Sequence, residues 1–201
     1  MRRASVFVIT LGLFVATSAL AQDRVLTPDR FSVEIGGDAA FATQDLGTAD
    51  LGTGFGFEAT VAYRFLPHLS AYAGWGWHHF TADGFLAGVD MDAEETGYTF
   101  GLTFAHPLGA SPLGYFVQAG GVYDHIEFEG EGFEGEDHTM DTGHGLGWQL
   151  GAGVVAPLGA KWQLMPGVRY RSLSRDLEIG DVTADLDLTY VTVRVGLVRT
   201  F

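Results

Sequence analysis

From Phe31 to the C-terminus the chain repeats one pattern, in which large apolar residues take every second position and glycine or a polar residue takes the positions between. Phe31, Val33, Ile35 and Phe41 alternate with Ser32, Glu34, Gly36 and Asp38. Phe55, Phe57, Ala59, Val61, Tyr63 and Phe65 alternate with Gly54, Gly56, Glu58, Thr60, Ala62 and Arg64. Further segments follow: 69–78, with Trp75 and Trp77; 97–104, with Tyr98, Phe100, Leu102 and Phe104; and 115–120, with Tyr115 and Val117. The remaining ones are 146–154, with Trp148 and Leu150; 162–171, with Trp162, Val168 and Tyr170; and 191–198, with Val193, Val195 and Leu197. Period two is the period of a β-strand, and glycines at alternate positions would break a helix. The pattern predicts eight strands.

The connections alternate in length. Leu66-Pro67-His68, His106 to Leu113 and Pro157 to Lys161 are short and contain proline, which stops a strand. Thr43 to Gly52, Ala82 to Glu94, Glu129 to His144 and Leu177 to Leu186 are long and acidic, and are expected to be solvated and mobile loops. Four hairpins with short turns at one end and long loops at the other suit an up-and-down antiparallel barrel with both termini at the turn end.

Which face points inward decides the class. In a soluble sandwich or a lipocalin-like barrel the aromatic face would be enclosed. In a membrane barrel it would face lipid, with Trp and Tyr gathered at the two interfaces. Here the opposite face is dominated by glycine rather than by Lys, Glu and Asp, and the aromatics lie near segment ends. Both features favour the membrane barrel. Composition agrees: 47% of residues are apolar and only 18% charged, with 29 glycines and no cysteine, so a disulfide framework is excluded.

The N-terminus sets the compartment. Arg2-Arg3, the apolar stretch Val6 to Leu20 and Ser18-Ala19-Leu20-Ala21 form a cleavable export signal. Residues 1–21 are therefore expected to be a signal peptide, 22–30 a short tail, and 31–201 the barrel. The net charge is −14 for the whole chain and, without Arg2 and Arg3, −16. That excludes nucleic acid, which needs a basic footprint.

The export signal, the alternating segments and the closing run Val193-Arg194-Val195-Gly196-Leu197-Val198-Arg199-Thr200-Phe201 resemble the small outer-membrane β-barrel proteins, of the OmpA-transmembrane-domain and OmpX type. The resemblance implies an all-β, eight-stranded antiparallel up-and-down transmembrane barrel in a Gram-negative outer membrane. It also implies contact with membrane lipid and lipopolysaccharide, and recognition of Phe201 by the outer-membrane insertion machinery. Arg199 stands where that family usually has an apolar or aromatic residue.

Candidate chemistry is sparse. Inward Glu34, Asp38 and Glu58 are expected to pair with Arg64, Arg169, Arg171 and Arg194, because enclosed charges without partners are costly. A filled interior is expected, since eight strands leave little room; a narrow pore for a small, possibly hydrophobic solute is the alternative. The acidic residues Asp83, Asp90, Asp92, Glu94, Glu95, Glu127, Glu129, Glu131, Glu134, Glu136, Asp137, Asp141, Asp176, Glu178, Asp181 and Asp185 offer oxygen ligands for Ca²⁺ or Mg²⁺, but without the spacing of a calcium loop. No metal or cofactor is expected. His78, His79, His125, His138 and His144, with Ser172, Ser174 and Asp176, make a Ser/His/acid site in a lipid-modifying enzyme conceivable. No catalytic motif supports it, and adjacent His78 and His79 point to opposite faces. The histidines are read as interface residues, and the chain as a non-enzymatic, monomeric structural or surface-interaction protein.

Overall fold

The structure, a computed structural model, describes residues 29–44, 50–86, 89–131, 137–179 and 182–201. The expected signal peptide and residues 22–28 of the tail lie outside them. The strands are β1 (Phe31–Ala42), β2 (Asp50–Leu51), β3 (Thr53–Leu66), β4 (Leu69–Leu86), β5 (Val89–Pro107), β6 (Gly114–Glu131), β7 (Asp137–Asp141), β8 (Gly145–Pro157), β9 (Trp162–Ile179) and β10 (Val182–Thr200). The short β2 continues the edge of β3 along β4, and β7 continues the edge of β8 along β6. These elements build eight walls.

Each wall pairs antiparallel with its sequence neighbour, and β1 pairs with β10 from Ser32↔Thr200 to Ala42↔Tyr190. The Phe201 amide donates to the Phe31 carbonyl at 2.8 Å and prolongs the seam by one more bond. The result is a closed eight-stranded antiparallel barrel. Closure leaves no free sheet edge, which a wall in hydrocarbon requires.

Side chains settle the orientation. Phe55, Phe57, Phe100 and Leu197 point outward and are 57%, 45%, 46% and 42% exposed, whereas Glu58 and Arg194 are 2% and 4% exposed. A soluble barrel would show the reverse. The outward residues also form two girdles. Phe31 packs on Tyr63 and Phe104 on Tyr115 near the turns, while Phe57 packs on Trp75, Phe55 on Trp77 and Trp148 on Tyr170 toward the other end. Phe55 to Phe65 spans about 33 Å along the strand, or about 25 Å along the axis at a tilt of about 40–45°, which is the height of an outer-membrane apolar band.

The walls run past that band. Ala82 to Glu94 and Leu177 to Leu186 were expected as loops. Instead β4 continues to Leu86 with β5 starting at Val89, and β9 continues to Ile179 with β10 starting at Val182. The alternation does not stop here; its two sides exchange character. On β6 the even positions face inward throughout, yet they change from Gln118 and Asp124 to Ile126 and Phe128. The odd positions face outward and change from Val117 and Tyr123 to His125 and Glu127. Ala40, Leu51, Phe80, Ala93, Val122, Ile126, Phe128, Leu173, Leu188 and Tyr190 thus form a buried apolar cluster inside the loop end. Below the crossover the wall is built for lipid outside. Above it, the wall is built for water.

Two turns at the other end depend on glycine. Gly109 and Gly159 adopt φ of +56° and +138°, which side-chain-bearing residues rarely take. Within the wall, Gly101 and Gly120 face each other across β5 and β6, and the Tyr72 hydroxyl lies over both.

Candidate functional site: the barrel interior

The lumen is layered from the turn end upward. First comes a cavity of about 520 Å³ that opens among the short turns and is lined by Glu34, Arg64, Ser70, Phe116, Gln163 and Met165. Asp29 and Arg30 stand at its mouth, where the Arg64 guanidinium donates to the Asp29 carbonyl and the Arg30 guanidinium to the Tyr63 hydroxyl. Arg64 was expected in the inner ion cluster. It lies six residues along β3 from Glu58, toward the turns, and serves the rim instead.

Tyr72, Gln118 and Arg194 line the inner end of this cavity, and above them the lumen fills. Arg169 clamps Glu58 through two bonds of 2.7 and 2.9 Å and reaches Gln118 at 3.2 Å. Strands β3 and β9 are not neighbours, so this bidentate pair spans the lumen instead of lying along one wall. Arg194 reaches Glu34 at 2.5 Å and approaches Glu58 to 3.8 Å. Arg171 sits at the centre: it donates to Glu95 at 2.6 Å, Gln149 at 2.9 Å, the Tyr190 hydroxyl at 3.0 Å and Glu58 at 3.3 Å. The Tyr190 hydroxyl donates in turn to Glu95 at 2.5 Å. Higher still, Arg175 pairs with Asp124 and donates to the Gly145 and Leu146 carbonyls. His78 stands 3.4 Å from Asp38. Above this lattice the apolar cluster closes the described lumen.

Among the described interior residues the charges nearly balance. Glu34, Glu58, Glu95 and Asp124 face Arg169, Arg171, Arg175 and Arg194, with the His78 imidazole beside the remaining carboxylate, Asp38. Glu34, Asp38, Glu58, Arg169, Arg171 and Arg194 stand where the alternation places them. Glu95, Asp124 and Arg175 join them without having been expected there, and His78 lies inside the lumen rather than at an interface. Arg169, Arg171 and Arg175 share one phase on β9, which is the signal that could have found the last.

The other candidates do not converge. His79 lies outside the barrel, 3.4 Å from Glu94, so the opposite facing of the two histidines holds. Ser174 donates to Asp187 at 2.5 Å, and no histidine completes a triad with Ser172 or Ser174 among the described contacts. The side chains of Asp83, Asp90, Glu129, Glu131, Asp137, His138, Asp176, Glu178 and Asp185, and all of Glu134, Glu136 and Asp181, lie outside the described residues. Asp92, Glu94, Glu127 and Asp141 stand on paired strands, which replaces the expected irregular loops. Arg199 has a role that the sequence did not show: its guanidinium lies 5.4 Å from the Trp162 ring and 4.9 Å from the Phe201 ring.

An apolar exterior between two aromatic girdles, wrapped around a paired polar interior, defines an integral β-barrel membrane protein. The chain belongs to the outer membrane protein beta-barrel domain family, whose model matches residues 7–201, and its place is the outer membrane, in contact with that membrane's lipid. Solved structures with the same fold include Neisserial surface protein A, at 18% identity and TM-score 0.58, covering 85% of this chain and 97% of that one. They also include OprG from Pseudomonas aeruginosa, at 15% identity and TM-score 0.58, covering 86% and 96%. The E. coli outer membrane protein W matches at 15% identity and TM-score 0.57, covering 86% and 98%. No curated relative matches the sequence.

Proposed function

We propose that this protein is a non-enzymatic, non-conducting barrel that serves the envelope structurally and presents its acidic upper wall to the outside, with the turn end toward the periplasm. The observation that carries this reading is the filled lumen. A solute that entered the 520 Å³ cavity would meet the Glu58–Arg169 clamp and then the Arg171 hub, and above those the buried apolar cluster. Passage would require breaking several charge-assisted bonds at once, each leaving a charge without its partner in a low-dielectric interior.

Planar-bilayer recording of the folded protein tests it, and the expected trace is flat. Stable single-channel steps in the native protein would refute the proposal. They would favour the second reading, a gated pore for small solutes, for which the specific support is the same cavity, since it already hollows the lower lumen. In that case Glu58→Gln, by loosening the clamp, raises the conductance.

A further inference from the structure

The outward face of β6 above the upper girdle carries a cluster that the lumen does not use. His125 and Glu127 occupy successive outward positions there. The strand register sets Glu127 opposite Glu94 on one side and opposite Asp141 on the other. Three carboxylates therefore stand in a row across β5, β6 and β7. Like charges directly opposite one another destabilise a sheet. Glu94 is served by the Trp77 indole N–H at 3.2 Å and by His79 at 3.4 Å. Among the described residues, no lysine or arginine pairs with Glu127 or Asp141, and the one cationic candidate within 4 Å is His125, whose Nε2 lies 3.8 Å from the Glu127 carboxylate.

Three ligand atoms, one each from His125, Glu127 and Asp141, lie within 4.8 Å of one another. Bonds of about 2.0–2.1 Å in a tetrahedron put ligand atoms about 3.3 Å apart, so small rotations of these partly exposed side chains bring the set into range. The second nitrogen of His125 supplies an independent pointer. Its Nδ1 lies 3.3 Å from Nε2 of His144, and the rings are 4.5 Å apart. An imidazole that binds metal through one nitrogen characteristically donates its other N–H to a fixed acceptor, which sets tautomer and ring plane. His144, packed on Tyr123 at 5.2 Å, offers that acceptor.

We infer that His125 Nε2, Glu127 and Asp141 form a binding site for a divalent ion of the zinc class on the outer wall, with His144 as the positioning residue. Imidazole with carboxylates suits zinc and its neighbours, whereas Ca²⁺ and Mg²⁺ take oxygen ligands alone. The ion would offset the charges of its two carboxylate ligands, Glu127 and Asp141, and keep a fourth position open for water or an external donor. Sequence alone offers these residues only as oxygen ligands for Ca²⁺ or Mg²⁺ and leads to no expected metal; the pairing of β7 with β6 is what returns Asp141 to His125 and Glu127.

The test uses the mature chain folded in detergent micelles and titrated with Co²⁺, whose visible spectrum reports ligand geometry, followed by displacement with Zn²⁺. Expected are one Co²⁺ per chain, displacement by Zn²⁺, and indifference to Ca²⁺. His125→Ala and Asp141→Asn each weaken binding by about a hundredfold or more, and His144→Ala by about tenfold with an altered spectrum, which His144→Gln restores by keeping an acceptor. Unheated gel migration confirms that each variant is folded; Asp141→Asn, at an exposed position, serves should His125→Ala fail. The inference is overturned by no uptake at millimolar metal. It is equally overturned by uptake that survives both His125→Ala and Asp141→Asn, or that is lost in His79→Ala, which would place the ion on the neighbouring His79–Glu94 pair.

Discussion

Arg171→Met is the most searching perturbation of the interior. The substitution keeps the bulk and removes the bonds to Glu95, Gln149, Tyr190 and Glu58. Glu58 keeps its bidentate partner Arg169, so its loss is small. Glu95 is different: among the described residues Arg171 is its one guanidinium, and without it the carboxylate keeps only hydrogen bonds, from the Tyr190 hydroxyl and with the Asp124 carboxyl. Breaking one side of such a buried pair costs about 3–5 kcal/mol, because the carboxylate left behind has lost its compensation. Adding Glu95→Gln removes that charge, so the double variant should be more stable than the sum of the single losses by about 2 kcal/mol, within the range for groups in contact. Urea titration of the barrel in lipid vesicles, with the folded fraction read from unheated gel migration, measures all four corners of the cycle. A loss below about 1 kcal/mol for Arg171→Met, the value of an exposed pair, would refute the account. So would additivity within about 0.5 kcal/mol.

Two further outcomes follow from the walls. Phe100→Arg places a cation on the lipid face at mid-height and should cost about 2–4 kcal/mol in the same titration, whereas a water-facing wall would tolerate it. Gly120→Ala would drive a methyl group into the Phe100 carbonyl and the Tyr72 hydroxyl and should cost about 1–3 kcal/mol. Gly37→Ala, where the nearest atom to a new Cβ is 3.7 Å away, should stay within about 0.5 kcal/mol; equal losses at the two sites would contradict the packing.

The lower part of the barrel was legible because lipid outside and a narrow lumen inside impose one dominant rule, aromatic out and small or polar in, with Tyr72 and Phe116 as inward exceptions. Residues such as Phe55, Phe57, Glu58 and Arg194 obey it. The upper part was misread because the rule reverses while the geometry does not. Glu95, two residues before Gly97 and in the same inward phase, was counted with a solvent loop, yet it turns inward to Arg171. A search for period two that ignored polarity would have carried β6 through Gln118, Val122, Asp124, Ile126 and Phe128 as one inward row. Arg64 failed for another reason: phase fixes the face of a residue but not its height, and the rim carbonyl of Asp29 is nearer than the lattice. The cross-lumen partners were beyond any strand-by-strand reading, since Glu58 and Arg169 are joined only once the barrel closes.

The exchange of character partway up β4, β5, β6, β9 and β10 also fixes how deep the molecule floats. Two residues along a strand correspond to about 6.6 Å, or about 5 Å along the axis. Sinking by that step would drag His79, Glu94 and Glu127 into acyl chains, and rising by it would lift Phe55 and Trp148 into water. These strands thus carry a waterline at one level, and the order of their residues holds this barrel at one draught in the bilayer.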